Sequence, residues 1–132
     1  MRFLLDTNIC SAHMRRPAGL AHRFVQYSGR LAIPTIVLAE LYAGAHMTNH
    51  PDHLLEGIND LLEDIEVIDF DDTSALQFGK LRGDMKRQGL ATNPMDLLIA
   101  SVAVAHDLTL VTENTKDFFN VPGLQLENWL ED

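Results

Sequence analysis

The chain has 132 residues, 46 % of them apolar, which is enough to close one hydrophobic core and points to a single globular domain. Its formal charge of −9 argues against a uniformly basic nucleic-acid-binding surface, and its lone cysteine, Cys10, excludes an internal disulfide, a CxxC redox pair or a zinc knuckle. No run approaches the ~20 uncharged apolar residues of a membrane span, and Met1-Arg2-Phe3-Leu4-Leu5-Asp6 meets an acid too early for a signal peptide, so a soluble cytoplasmic protein without membrane partners is expected.

Short apolar runs alternate with helical periodicity along the chain. Arg2 to Leu5 reads as a first buried strand, ending at Asp6-Thr7-Asn8, where strand hands over to helix. Residues 18–28 are predicted helical, Leu31 to Ile33 form a second strand, and 35–46 and 52–63 are two further helices. Ile65 to Phe70 reads as a third strand, followed by helices over 73–89 and 94–106. Leu108 to Thr112 is a fourth strand, Asp117 falls in a turn or short helix after it, and Leu124 to Leu126 is a candidate edge strand. Strands separated by helices imply a three-layer α/β/α fold around a parallel sheet of four to five strands. Ligands of such sheets bind beyond the carboxyl ends of the strands, so functional residues are expected there.

Charge is unevenly spread. Residues 52–72 hold nine acids and no Lys or Arg, which reads as a solvated helix face and its exit. Arg2, Arg15, Arg16, Arg23 and Arg30 face one acid in the first thirty residues, and Lys80, Arg82, Lys86 and Arg87 cluster on one predicted helix, either to hold nucleic-acid backbone or merely to solubilise it.

Four carboxylates stand out. Asp6, at the strand-to-helix handover, serves equally well as a helix cap or as a site residue. Glu40 is the one formally charged residue between Leu31 and Ala45; a carboxylate on an apolar helix with no Lys or Arg within a turn needs a donor or a metal to compensate it. Asp96 follows Asn93-Pro94-Met95, a cap and a first-position proline, which places it at the third position of an apolar helix where the helix dipole already favours an acid. Asp117 has the same relation to a cap at Asn114 and proves little alone. Together the four would form a pocket in which like charges repel unless hard divalent cations sit among them. Mg²⁺ and Mn²⁺ prefer such oxygen ligands. Two ions ~3.5–4 Å apart would activate water and stabilise the leaving oxygen of a phosphodiester.

The order Phe3-Leu4-Leu5-Asp6-Thr7-Asn8, Ala39-Glu40-Leu41-Tyr42-Ala43-Gly44-Ala45, Asp96-Leu97-Leu98-Ile99-Ala100 and Leu110-Val111-Thr112-Glu113-Asn114-Thr115-Lys116-Asp117-Phe118 resembles the VapC toxins of the PIN-domain superfamily, and the likeness runs on to Glu127-Asn128-Trp129. The resemblance implies a Mg²⁺-dependent endoribonuclease, with Mn²⁺ able to substitute, that cuts structured RNA such as tRNA or ribosomal RNA loops. It implies a VapB-type antitoxin as inhibitor and a homodimer within a larger toxin–antitoxin complex. Asp6, Glu40, Asp96 and Asp117 would hold metal, with Asn8, Thr112 and Asn114 lining the pocket; by its own position Lys116 is either a surface residue or a contact for substrate phosphate beside the site.

Two features depart from that pattern or load it. Where the family commonly reads Ile-Gly-x-x-Asp, this chain has Thr92-Asn93-Pro94-Met95-Asp96; Asn tolerates a left-handed backbone and also caps helices. Glu113 adds an acid beside Asn114, either joining the metal site or repelling phosphate. His46, His50 and His53 have metal-like spacing, but Pro51 breaks the helix that would align them. Trp129 is expected to pack the last segment onto the domain, and Cys10 to fill a small apolar space. The competing functional class is an inactive PIN-like module that binds RNA or assembles complexes. A dehalogenase-type phosphatase or a receiver domain fits less well, because the phosphatase pattern wants an acid where Asn8 stands and neither explains Glu40.

Overall fold

A computed structural model describes residues 2–15 and 17–130 of the chain; Arg16 of the amino-terminal basic group lies outside the described residues. The chain runs β1 (Phe3–Leu5), α1 (Thr7–Arg15), α2 (Pro17–Gln26), β2 (Leu31–Pro34), α3 (Thr35–His46), α4 (Pro51–Asp64) and β3 (Glu66–Ile68). It continues through α5 (Asp72–Arg87), α6 (Pro94–Ala105), β4 (Thr109–Val111), α7 (Thr115–Phe118) and β5 (Gln125–Glu127).

All five strands pair in parallel in the order β3-β2-β1-β4-β5. β1 is central: Phe3 and Leu4 pair with Leu31 and Ala32 on one side, and Phe3, Leu4 and Leu5 with Thr109, Leu110 and Val111 on the other. Its three residues, like those of β4, are fully buried, which is why these strands read as unbroken apolar runs rather than alternating ones. Crossovers from β1 to β3 run one way along the sheet, and those from β3 to β5 run the other. With right-handed connections this puts α1 to α4 on one face and α5 to α7 on the opposite face, the three-layer arrangement expected. No helix among the described residues is long and apolar enough to cross a membrane.

Helix α6 is the central helix. Asn93 caps it by accepting the Met95 N–H at 2.8 Å, Pro94 opens it, and Leu97, Ile99, Ala100, Val102 and Ala103 are all buried. Burying each of its large side chains contributes roughly 1.5–3 kcal/mol. Asn93 has φ −63° and ψ 130°, so it replaces glycine by capping, and the left-handed backbone considered from sequence is not used. Helix α5 starts at the Asp71 cap, which accepts the Ser74 N–H at 2.9 Å. It stops where Gly89 takes φ +72° and the Leu90 N–H reaches back to the Met85 carbonyl at 2.8 Å, a Schellman-type end. His106 at the far end of α6 lies 3.0 Å from Asp71. Helices α5 and α6 therefore form an antiparallel hairpin whose turn, residues 88–93, lies at the Asp96 end.

Two predicted elements change. The third strand is only Glu66–Ile68, and α1 was not among the predicted helices. The segment Thr7-Asn8-Ile9-Cys10-Ser11-Ala12-His13-Met14-Arg15 buries only Ile9 and Cys10, too few apolar positions to show a period. Cys10 fills the core, and burial pushes its thiol up. Trp129 is buried, stacking on Tyr27 at 5.5 Å between ring centroids and meeting Phe3 edge-on at 5.2 Å. Arg23 lies 5.7 Å from the Trp129 ring centre. Apart from Asp71, the acids of 52–72 are exposed, as a solvated face requires.

Candidate functional site

The sheet's direction of winding reverses between β1 and β4, and the chain beyond their carboxyl ends carries the conspicuous polar residues. The Asp6 N–H still donates to the Val111 carbonyl at 2.9 Å, so β1 and β4 stay paired up to the point where their side chains turn into the site. Asp6 itself is buried. Its Oδ1 accepts the Thr7 N–H at 2.8 Å and its Oδ2 accepts the Thr112 hydroxyl at 2.8 Å and, more weakly, the Asn8 amide at 3.4 Å.

Thr112 is the hub of this frame. Its Oγ1 donates to Asp6 while accepting from Asn8 Nδ2 at 3.3 Å and from the Asn114 N–H at 3.1 Å. Asn8 spends its other end on the Glu113 N–H, accepted by Oδ1 at 3.1 Å. Two loops separated by about a hundred residues of chain are thereby fastened into one rigid floor. Burial pushes the Asp6 carboxyl above its ordinary value of 3.8; the bonds from Thr112, Thr7 and Asn8 oppose that shift, and the Glu113 charge adds to it.

Glu40 sits half-buried on α3, whose inward face is Val37, Leu41 and Ala45. The partner its sequence setting demanded is the Thr7 hydroxyl of α1, which donates to Oε1 at 2.8 Å. Thr7 was quoted in the first motif but given no role, and nothing in spacing signals it, because the contact depends on how α1 packs on α3. Asp96 occupies the third position of α6, as expected, and is partly exposed. Desolvation, then the charges of Asp6, Asp117 and Glu40, push its carboxyl up to about 6.

Asp117 takes the third position of α7, and its N–H donates to the Asn114 carbonyl at 2.9 Å. Asn114 precedes that helix, but its side chain makes no capping bond; its contribution to the frame is the backbone N–H held by Thr112. Lys116, Asp117, Glu113 and Asn114 are all exposed along the rim.

Asp96 thus lies within electrostatic reach of Asp6, Asp117 and Glu40, which come from three other segments. Among the described residues, no three His, Cys, Asp or Glu side chains converge tightly enough to ligate one ion as they stand. The donor chemistry nevertheless suits a hard cation: the side chains acting on Asp96 through charge are all carboxylates, and the one thiol, Cys10, is buried in the core. His46, His50 and His53 are exposed and form no such group.

The PIN domain family model matches residues 3–124. Among curated relatives, the tRNA(fMet)-specific endonuclease VapC of Shigella flexneri is 36 % identical over 130 residues, 98 % of each chain. Ribonuclease VapC2 of Rickettsia felis is 36 % identical over 132 residues, again 98 % of each. Among solved structures, VapBC2 from Rickettsia felis bound to a DNA fragment from its promoter superposes with a TM-score of 0.91 at 36 % identity, covering 98 % of this chain and 99 % of the other. DNA-bound VapBC from Salmonella typhimurium gives 0.93 at 32 % identity, covering 98 % of both. With the fold, the motif order and relatives matched over nearly their whole length in agreement, this chain belongs to the PIN-domain family and, within it, to the VapC group.

Proposed function

We propose that the protein is the toxin of a VapBC-type pair, an endoribonuclease that hydrolyses phosphodiester bonds in structured RNA with Mg²⁺, or Mn²⁺ in its place, bound by Asp6, Glu40, Asp96 and Asp117. The observation that carries this reading is the convergence on Asp96 of the charges of Asp6, Asp117 and Glu40, beyond the carboxyl ends of β1 and β4. A bound divalent cation would supply Lewis-acid stabilisation of the reacting phosphate and a water made more acidic. The chain's own residues do the positioning. Thr112 and Asn8 fix the Asp6 oxygens, Thr7 fixes Glu40, and the Asn93 cap fixes the start of the helix bearing Asp96. Lys116, exposed beside Asp117, would meet a substrate phosphate at the rim.

The relatives' names support both the substrate class and the partner: one is named for tRNA(fMet), and the matched structures are VapBC complexes. We accordingly assign structured RNA such as tRNA as substrate, a VapB-type antitoxin as inhibitor, a homodimer within the larger complex, and a cytoplasmic place of action. The test is incubation of the purified protein with total tRNA and ribosomal RNA, with Mg²⁺ or Mn²⁺, with chelator, and with Asp6→Asn. Cleavage that needs both metal and Asp6 is the expected result. Cleavage that survives chelator, or full activity in the substituted chain, rejects the mechanism, and metal-dependent binding without cleavage leaves an RNA-binding module instead.

A further inference from the structure

Sequence alone left Lys80, Arg82, Lys86 and Arg87 as one undivided basic group. The structure splits it. Arg82 and Lys86, one helical turn apart, both line a cleft of about 400 Å³ between the end of α5 and the start of α6, together with Met85, Leu90, Thr92 and Leu97. Lys80 and Arg87 point to another face, along a separate concavity with Gly79 and Gly83, where Arg87 is paired with Asp84. Among the described residues neither Arg82 nor Lys86 makes an ion pair. The amino-terminal basic group has no such freedom throughout, since Arg2 pairs with Glu66 and Arg23 packs over Trp129.

The cleft has a distinctive build and place. Its floor is apolar, with Met85 and Leu97 almost fully buried, and two exposed cations stand at its rim. Leu97 follows Asp96 in the chain, and the cleft lies at the turn end of the α5–α6 hairpin, the end that carries Asp96. Gly89, at φ +72°, makes that turn and carries no side chain into the opening. In a chain of charge −9, Arg82 and Lys86 stand exposed, without an ion pair among the described residues, at the end of the hairpin that carries Asp96. They complement a polyanion that must approach a negatively charged centre.

We infer that this cleft is a nucleotide subsite for the RNA strand flanking the scissile bond, with Arg82 and Lys86 holding backbone phosphate. The inference rests on the proposed ribonuclease reading and adds two positioning residues to it. Phosphate contacts of this kind set affinity and register without sequence preference.

The experiment uses the full chain carrying Asp6→Asn, so that RNA is bound but not cut, and measures the Kd for a labelled tRNA transcript as salt is raised, with Mg²⁺ present throughout. Arg82→Gln with Lys86→Gln is expected to weaken binding by about 10- to 100-fold at low salt and to flatten the plot of log Kd against log salt by about 1.4, the value for two single-strand phosphate contacts. Lys80→Gln with Arg87→Gln is expected to stay within twofold of the parent, and Arg82→Lys with Lys86→Arg to retain most of the affinity. In the cleavage-competent chain the Gln pair should raise KM and leave kcat nearly unchanged. Equal losses from both Gln pairs, or none from the cleft pair while the parent still cleaves RNA, would overturn the subsite alone. Absence of metal-dependent cleavage in the parent would overturn the ribonuclease reading and the subsite with it.

Discussion

The two halves of the site are built differently. On the β1 side, Asp6 is buried and its oxygens are held by three donors, with Thr112 bonded in turn to Asn8 and Asn114. On the α7 side, Glu113, Asn114, Lys116 and Asp117 lie exposed on a four-residue helix and its approach, tied down mainly through backbone N–H groups. A buried carboxylate with satisfied hydrogen bonds has one orientation, whereas an exposed one keeps its rotamer freedom until something binds it. The first half is a fixed anchor and the second an adjustable arm, so substitutions should hurt in proportion to how fixed their target is.

The largest expected effect is that of Asp6→Asn, which keeps the shape but removes the anchor's charge: RNA cleavage should fall on the order of 10²–10³-fold, as when a preorganised group is taken from a catalytic centre, with circular dichroism unchanged. A loss smaller than that caused by Asp117→Asn would reverse the assignment of anchor and arm. Thr112→Val is next. It strips the hub hydroxyl and leaves Asp6 short of a donor, costing about 1–3 kcal/mol of stability and about 10- to 100-fold in activity or metal affinity, readable by thermal melting and Mn²⁺ titration. Asp117→Asn, on the adjustable side, is expected to cost only about tenfold in cleavage, near the lower end of that range, and nothing in melting temperature.

The smallest effect concerns pH. The Asp96 carboxyl is raised to about 6, chiefly by burial and then by its acidic neighbours, so the folded state prefers it neutral. Its contribution to stability is intact below its unfolded value near 4 and is lost as pH rises through about 6. With chelator present, the protein should therefore be more stable near pH 5 than near pH 7.5 by about 1 kcal/mol from this group, after discounting for its solvent exposure. Asp96→Asn should abolish that difference, and an unaltered pH profile of melting in the variant would remove Asp96 from the charge cluster.

Legibility from sequence followed how locally each feature is determined. Asn93-Pro94-Met95-Asp96 spells out its own helix start, and the structure repeats it residue for residue. Glu40 stood out because an uncompensated charge in an apolar helix is costly whatever surrounds it, yet its partner Thr7 lies 33 residues away on a helix with no visible period. The Thr112–Asp6 bond spans 106 residues and exists only because β4 pairs beside β1, a fact of topology rather than of composition. Asn114 was read as a cap by its type, but its side chain makes no capping bond, and its backbone at φ −96° and ψ 49° lies outside the extended region a capping residue usually takes. The basic group on α5 was visible as a cluster, but which members line the cleft against α6 emerged only from the hairpin.

The pairing of Phe3–Leu5 with Thr109–Val111 also has a meaning in time. The central strand is synthesised well before its neighbour in the sheet. A growing chain can pack α1 to α4 against β1 and β2 while Asp6 still lacks the Thr112 hydroxyl that orients it, and contacts of such long range close late in folding. The Asp6–Thr112 frame therefore forms only once β4 has joined the sheet, and on the proposed ribonuclease reading a chain in which β4 has not yet docked does not cleave RNA.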